Sequence, residues 1–142
     1  MSNRFAARSP ILLALAVPVF LAYAAQAQGQ ADSTVAGSTI YKTYCAVCHG
    51  TEAKGDGPLA SSLRFAPPDL TLMAKRNGGV YPSDEVFRII DGRKPVRGHG
   101  GPDMPIWGDA FKQSGEGYTE EKVKQRIDGL VDFLKWLQVK ET

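Results

Sequence analysis

The chain has 142 residues, 43% hydrophobic and 23% charged, with 17 basic and 15 acidic side chains and a formal net charge of +2. Both surplus positive charges, Arg4 and Arg8, fall within residues 1–27, so residues 28–142 are balanced in sign. That balance argues against a nucleic-acid partner, and the length fits one small domain with a modest core.

Residues 1–27 read as a secretory signal peptide. Arg4 and Arg8 form its basic start, residues 10–25 are almost uniformly apolar, and Ala25-Gln26-Ala27 is a small-residue cleavage site. The mature chain then spans 28–142. The two arginines are not adjacent, which favours general secretion over the twin-arginine route. If retained, the leader would act as a membrane anchor, because no charge lies between Arg8 and Asp32. Its apolar run is shorter than the roughly 20 residues a span needs, and Pro18 interrupts it. Export places the mature chain in the periplasm, an oxidising compartment.

Ser33 or Thr34 is placed to cap a first helix running through Gly37, Ile40, Tyr41 and Tyr44. It leads into Cys45-Ala-Val-Cys-His49, the C-x-x-C-H signature of covalent haem attachment. Two cysteines at this spacing can each bond one vinyl group of a porphyrin, and the next histidine then lies under the iron. Cys45 and Cys48 are read as thioether anchors and His49 as the proximal axial ligand of one haem c. Other chemistries fit less well. A thioredoxin-like pair opens a helix within a βαβ pattern, whereas this one ends a helix. A zinc site needs four ligands, and the sequence has no third cysteine and only His99 as a further histidine.

Residues 50–68, rich in Gly and Pro, read as an irregular loop. Residues 69–77 follow as a short helix capped by Asp69 and stopped by Gly78-Gly79. Pro82-Ser83 opens a helix over 84–91 with acids in its first turn. A second Gly/Pro-rich loop covers 92–108. Thr119 caps the strongest helix, whose stripe is Val123, Ile127, Leu130, Val131, Leu134 and Leu137, widened by Phe133 and Trp136. No segment alternates as a strand, so the fold class is all-α, with two long loops that a haem would give something to wrap. A haem would fill much of so small a core, and the haem-free chain is expected to be largely unfolded.

A six-coordinate electron carrier needs a ligand on the opposite haem face. Met73 sits in a helix whose apolar face claims it for the core. Met104 sits in the second loop before Pro105, where its sulfur is free to meet a metal; it is the second iron ligand in this reading. His99, between Gly98 and Gly100, reads as an exposed loop residue. Thioether ligation favours ferrous iron, so a positive reduction potential is expected.

Together these features resemble a class I mono-haem cytochrome c over nearly all of the mature chain. The match comprises Gly37-x-x-x-Tyr41 ahead of Cys45-Ala-Val-Cys-His49-Gly50, then Gly55-Asp56-Gly57-Pro58 and Pro67-Pro68-Asp69-Leu70. It continues with Met104-Pro105-Ile106-Trp107-Gly108 and a terminal helix carrying Phe133-Leu134. The resemblance implies that the first and last helices cross closely at Gly37, with Tyr41 and Phe133 beside the contact. It also implies that the Pro58 carbonyl accepts the His49 Nδ1 proton, fixing the ring. Trp107 would pack near the haem or bond a propionate; Arg64 is a weaker propionate candidate. The sequence departs from the simplest family members in Arg93-Lys94-Pro95-Val96-Arg97-Gly98-His99, whose basic residues would form a docking rim or a solvated loop.

The function these features imply is a periplasmic, monomeric one-electron carrier that docks transiently with redox protein partners and is not an enzyme. The alternatives are the haem subunit of a larger dehydrogenase or oxidase complex, or a haem-based ligand-binding or sensor protein.

Overall fold

The computed structural model describes residues 16–94, 107–113 and 119–139. The chain packs as two units that divide between Ala31 and Asp32. In the first, the described residues are helical from Ala16. The second holds everything that follows.

Helix α1, Ala16–Tyr44, begins well before the Ser33/Thr34 cap predicted for it. Alanine is the strongest helix former, and the alanine-rich run continues the helix through the predicted start. Ser33 does other work: its hydroxyl donates to Asp132 Oδ2 at 2.6 Å. After a break at Cys45, α2 (Ala46–His49) carries the motif and ends where Gly50 takes φ +81°.

The loop after α2 is irregular, as predicted, apart from one 3-10 turn at Ala60–Ser62. It folds back onto the motif: Gly55, Gly57 and Leu59 donate their N–H groups to the carbonyls of His49 (2.8 Å), Cys48 (3.2 Å) and Val47 (2.9 Å). A Cβ on Gly57 would fall 2.6 Å from the Cys48 carbonyl carbon, so only glycine permits this approach. Ala53, fully buried at φ 60°, anchors the loop by accepting from the Leu70 N–H at 2.7 Å. A positive φ at alanine is not legible from sequence.

The helix predicted over 69–77 resolves into a 3-10 turn, Leu70–Leu72, and a short α3, Met73–Arg76. Asp69 caps it as expected, accepting from the Thr71 N–H at 2.8 Å and the Thr71 hydroxyl at 2.6 Å. The side chain of Gln138 fastens this region to the chain's far end. It accepts from the Ala74 N–H at 2.9 Å and donates to the carbonyls of Leu70 (2.9 Å) and Leu134 (2.7 Å).

Helix α4, Ser83–Asp91, matches its prediction and buries Val86 and Ile90. Helix α5, Trp107–Gln113, was not foreseen: its first two residues were assigned to the loop. Seven residues opening on Trp-Gly carry too little periodicity to announce a helix. Burial of Phe111, only 1% exposed, gives it tertiary support. Helix α6, Glu120–Trp136, is capped by Thr119 as predicted and buries Val123, Ile127, Leu130, Val131, Phe133 and Leu134. Trp136 does not join that face. It is 69% exposed and stacks on Phe133 at 6.2 Å.

No strand occurs among the described residues, and the fold is all-α. At the crossing of α1 and α6, a Cβ added to Gly37 would lie 1.9 Å from the Gly129 carbonyl oxygen. Tyr41 and Phe133 pack beside this contact with ring centroids 5.2 Å apart, as the resemblance implied.

Tyr81 donates to the Val131 carbonyl at 3.1 Å, and burial, with Asp132 adding to it, holds its phenol above the ordinary value near 10. The folded state therefore keeps a proton that the unfolded chain releases. The stabilisation is complete below about pH 10 and is lost as pH rises above it. Tyr81→Phe should lose less stability than the wild type between about pH 9 and 11.5, read from denaturant midpoints. Parallel losses would contradict this.

Candidate functional site

Cys45 caps α2, and Cys48 and His49 form its last two residues. His49 is 6% exposed. The Tyr41 hydroxyl donates to the carbonyl of Gly50 at 2.8 Å and fixes the end of the motif. Burial, then the neighbouring Cys48, pushes the Cys45 thiol up to about 12, so it is un-ionised at neutral pH.

Cys45 and His49 line a mostly apolar cavity of about 460 Å³. Tyr41 from α1 and Leu130 and Leu134 from α6 form part of its wall; Leu70 and Met73, and Val86, Ile89 and Ile90 from α4, form more. Trp107 joins them from the start of α5, with Arg76, Asn77 and Glu85 as the polar lining. The size lies within the range of sites that hold small cofactors, and apolar walls with a few placed polar groups are typical of them. The residues fit a haem: a buried histidine and a cysteine share the wall. The buried Trp107 Nε1 has no hydrogen-bond partner among the described residues, leaving a donor for a propionate.

The structure brings together Cys45, His49 and Trp107 of the predicted site. Cys48, half-exposed one residue before His49, is not part of the cavity wall. Met104 and His99 lie outside the described residues. Met73 packs against the core, as read, and also lines the cavity. Pro58 is exposed and stands between Gly57 and Leu59, whose ties hold the loop against α2. Arg64 is exposed over the Phe65 ring at 5.4 Å, away from the cavity. Arg76 lines it instead and donates to the Asp69 carbonyl at 2.8 Å. No local pattern marked it, because its place depends on how α3 packs.

Two of the rim cations already have carboxylate partners: Arg93 pairs with Asp91, and Lys94 with Glu85 at 2.6 Å. The sequence reading also missed a packed aromatic group. Tyr44, Trp107 and Phe111 have centroids 5.4 to 5.7 Å apart, and the Arg126 guanidinium lies 4.6 Å from the Phe111 centroid. This group holds Trp107 in the cavity wall.

No helix among the described residues is long and apolar enough to cross a membrane. In comparison with protein families, residues 34–138 match the model described as cytochrome c. No solved structure matches the chain.

Proposed function

Because the chain belongs to the cytochrome c family, we propose that it is a periplasmic one-electron carrier whose haem iron is held between His49 and Met104. Its cytochrome c domain implies a covalently bound c-type haem and supports haem-based electron transfer. The observation that carries the finer reading is His49, 6% exposed and set in the wall of an apolar cavity beside Cys45.

Cys45 and Cys48 would tether the haem by thioether bonds, and His49 would hold the iron through an imidazole nitrogen. The Pro58 carbonyl, on the loop that the Gly57 and Leu59 ties hold to α2, would accept the His49 Nδ1 proton in the haem-loaded protein; that bond is not formed in this structure. A ring held in this way is a stronger and better-oriented ligand. Trp107 Nε1 would donate to a propionate, and Met104 would be the second residue to hold the iron. When bound, the haem supplies a one-electron ferric/ferrous couple. The apolar wall from Leu70, Val86, Ile90 and Leu134 excludes water, which favours the less charged ferrous form. Partners are redox proteins that dock briefly on the monomer. With Arg93 and Lys94 already paired, steering by that rim is weak.

Optical spectra of the haem-loaded protein test the ligation. A low-spin ferric spectrum with a weak sulfur-to-iron band, and a ferrous form indifferent to carbon monoxide, are expected. Prompt carbon monoxide binding would refute His49/Met104 ligation and favour a ligand-binding role.

A further inference from the structure

Leu70, Met73 and Arg76 line the cavity from the 3-10 turn Leu70–Leu72 and from α3. A helix of four residues cannot hold its own shape, and the first N–H groups of any helix have no partner within it. Here the partner comes from 64 residues away: Gln138 Oε1 accepts from the Ala74 N–H at 2.9 Å. The same side chain donates through Nε2 to the carbonyls of Leu70 at 2.9 Å and Leu134 at 2.7 Å. Leu134 lies in the last turn of α6, where carbonyls also lack helical partners. One amide thus takes up two groups that their own helices leave over, and binds Leu70 as well. Beside it, the Val139 N–H donates to the Thr71 carbonyl at 3.1 Å, so the end of the chain runs along the segment.

We propose that Gln138 is a positioning residue for the haem: its three hydrogen bonds fix the 70–76 side of the cavity wall and so set how far water reaches the ring. The inference rests on the haem occupying this cavity and is independent of which residue is its second ligand. Gln138 does not line the cavity, so it acts through Leu70, Met73 and Arg76. If the segment swings out, water replaces apolar side chains and the Arg76 guanidinium moves away. Both changes favour ferric over ferrous iron.

The experiment compares Gln138→Leu with the wild type, both loaded with haem. Leucine keeps the approximate volume and the charge but can form none of the three bonds. Proton NMR of the ferrous form under carbon monoxide, diamagnetic whether or not the gas binds, reads methyl shifts and amide exchange. A redox titration without the gas reads the ferric/ferrous balance. In the wild type, the Leu70 and Met73 methyls should carry a haem ring-current shift; without one the haem lies elsewhere, and the cavity reading falls together with the proposal. Gln138→Leu should speed exchange of the Ala74 amide by at least about tenfold, the scale for losing two neutral hydrogen bonds to the segment. It should also shrink both methyl shifts and move the balance toward ferric iron by at least about threefold. Gln125→Ala removes an exposed glutamine of the same helix, bonded only to Glu121 within it, and should change each readout by less than about twofold. The Gly55 amide, bonded to the His49 carbonyl, is the control for general loosening. Faster Ala74 exchange with unmoved methyl shifts and balance would make Gln138 a structural tie and overturn its positioning role. Unchanged Ala74 exchange, or Gly55 exchange rising in step with it, would overturn the role as well. Should Gln138→Leu not fold, Gln138→Asn, one methylene too short to span the three partners, decides by the same criteria.

Discussion

Exchanging Gly37 for alanine in the haem-loaded protein should lower its stability by at least about 3 kcal/mol, although alanine is the better helix former by roughly 1 kcal/mol. The added methyl would sit 1.9 Å from the Gly129 carbonyl oxygen and 2.4 Å from its carbonyl carbon. Both are backbone atoms in the middle of α6, so no side chain can rotate away; the helices must separate. Separation also pulls Tyr41 from Phe133 and strains the Ser33–Asp132 bond. The reciprocal change gives the control. A methyl on Gly129 meets the Ser33 carbonyl oxygen at 3.2 Å and Gly37 N at 3.4 Å, so a shift of a few tenths of an ångström accommodates it. Gly37→Ala should therefore cost at least about 2 kcal/mol more than Gly129→Ala by denaturant midpoints. Equal costs would show that the crossing is not limited by backbone contact at Gly37.

Removing the haem should abolish cooperative unfolding. Left without the haem, a space of about 460 Å³ forfeits the apolar contacts the ring would make with its walls. The walls come from α1, α3, α4, α5 and α6, so collapse in one place opens a gap in another. Without the haem, α4 and α5 keep only their packing on α6 and on each other, and the short α2 and α3 cannot stand alone. Calorimetry of the haem-free chain should show no cooperative transition, and its far-ultraviolet helix signal should fall well below that of the loaded protein. A sharp melt with native helix content would mean that α1 and α6 carry the fold without the cofactor.

The features legible in the sequence are those written in local spacing. C-x-x-C-H specifies an attachment chemistry through residues that are neighbours in the chain. The stripe from Val123 to Leu134 and the caps at Asp69 and Thr119 follow from helical periodicity and backbone donors within one turn. These were enough for the all-α fold, the covalent haem and the helices that begin at Ser83 and Glu120, while the helix predicted over 69–77 resolves into a 3-10 turn and a short α3. The Gly37 crossing came through the likeness to cytochrome c, since nothing in the local pattern distinguishes that glycine from any other.

What escaped depends on surfaces far apart in the chain. Helix α5 exists because Phe111 finds the core and Gly108 fits against Asp91; neither is visible in seven residues. Trp136 looked like core because it follows the helical period, yet at its position near the end of α6 that face reaches solvent. The propionate candidate Arg64 points over Phe65, while Arg76 reaches the cavity because Asp69, Gln138 and α3 turn it there. The amino-acid order by itself determined the chemistry, one covalent haem on a helical chain, because bond-forming groups and helix periods act over a few residues. The tertiary structure alone decided which side chains wall the cavity, which cations are already paired and which glycines have no room for a methyl. Those are properties of packing between elements, and packing is resolved only when all the elements are present together.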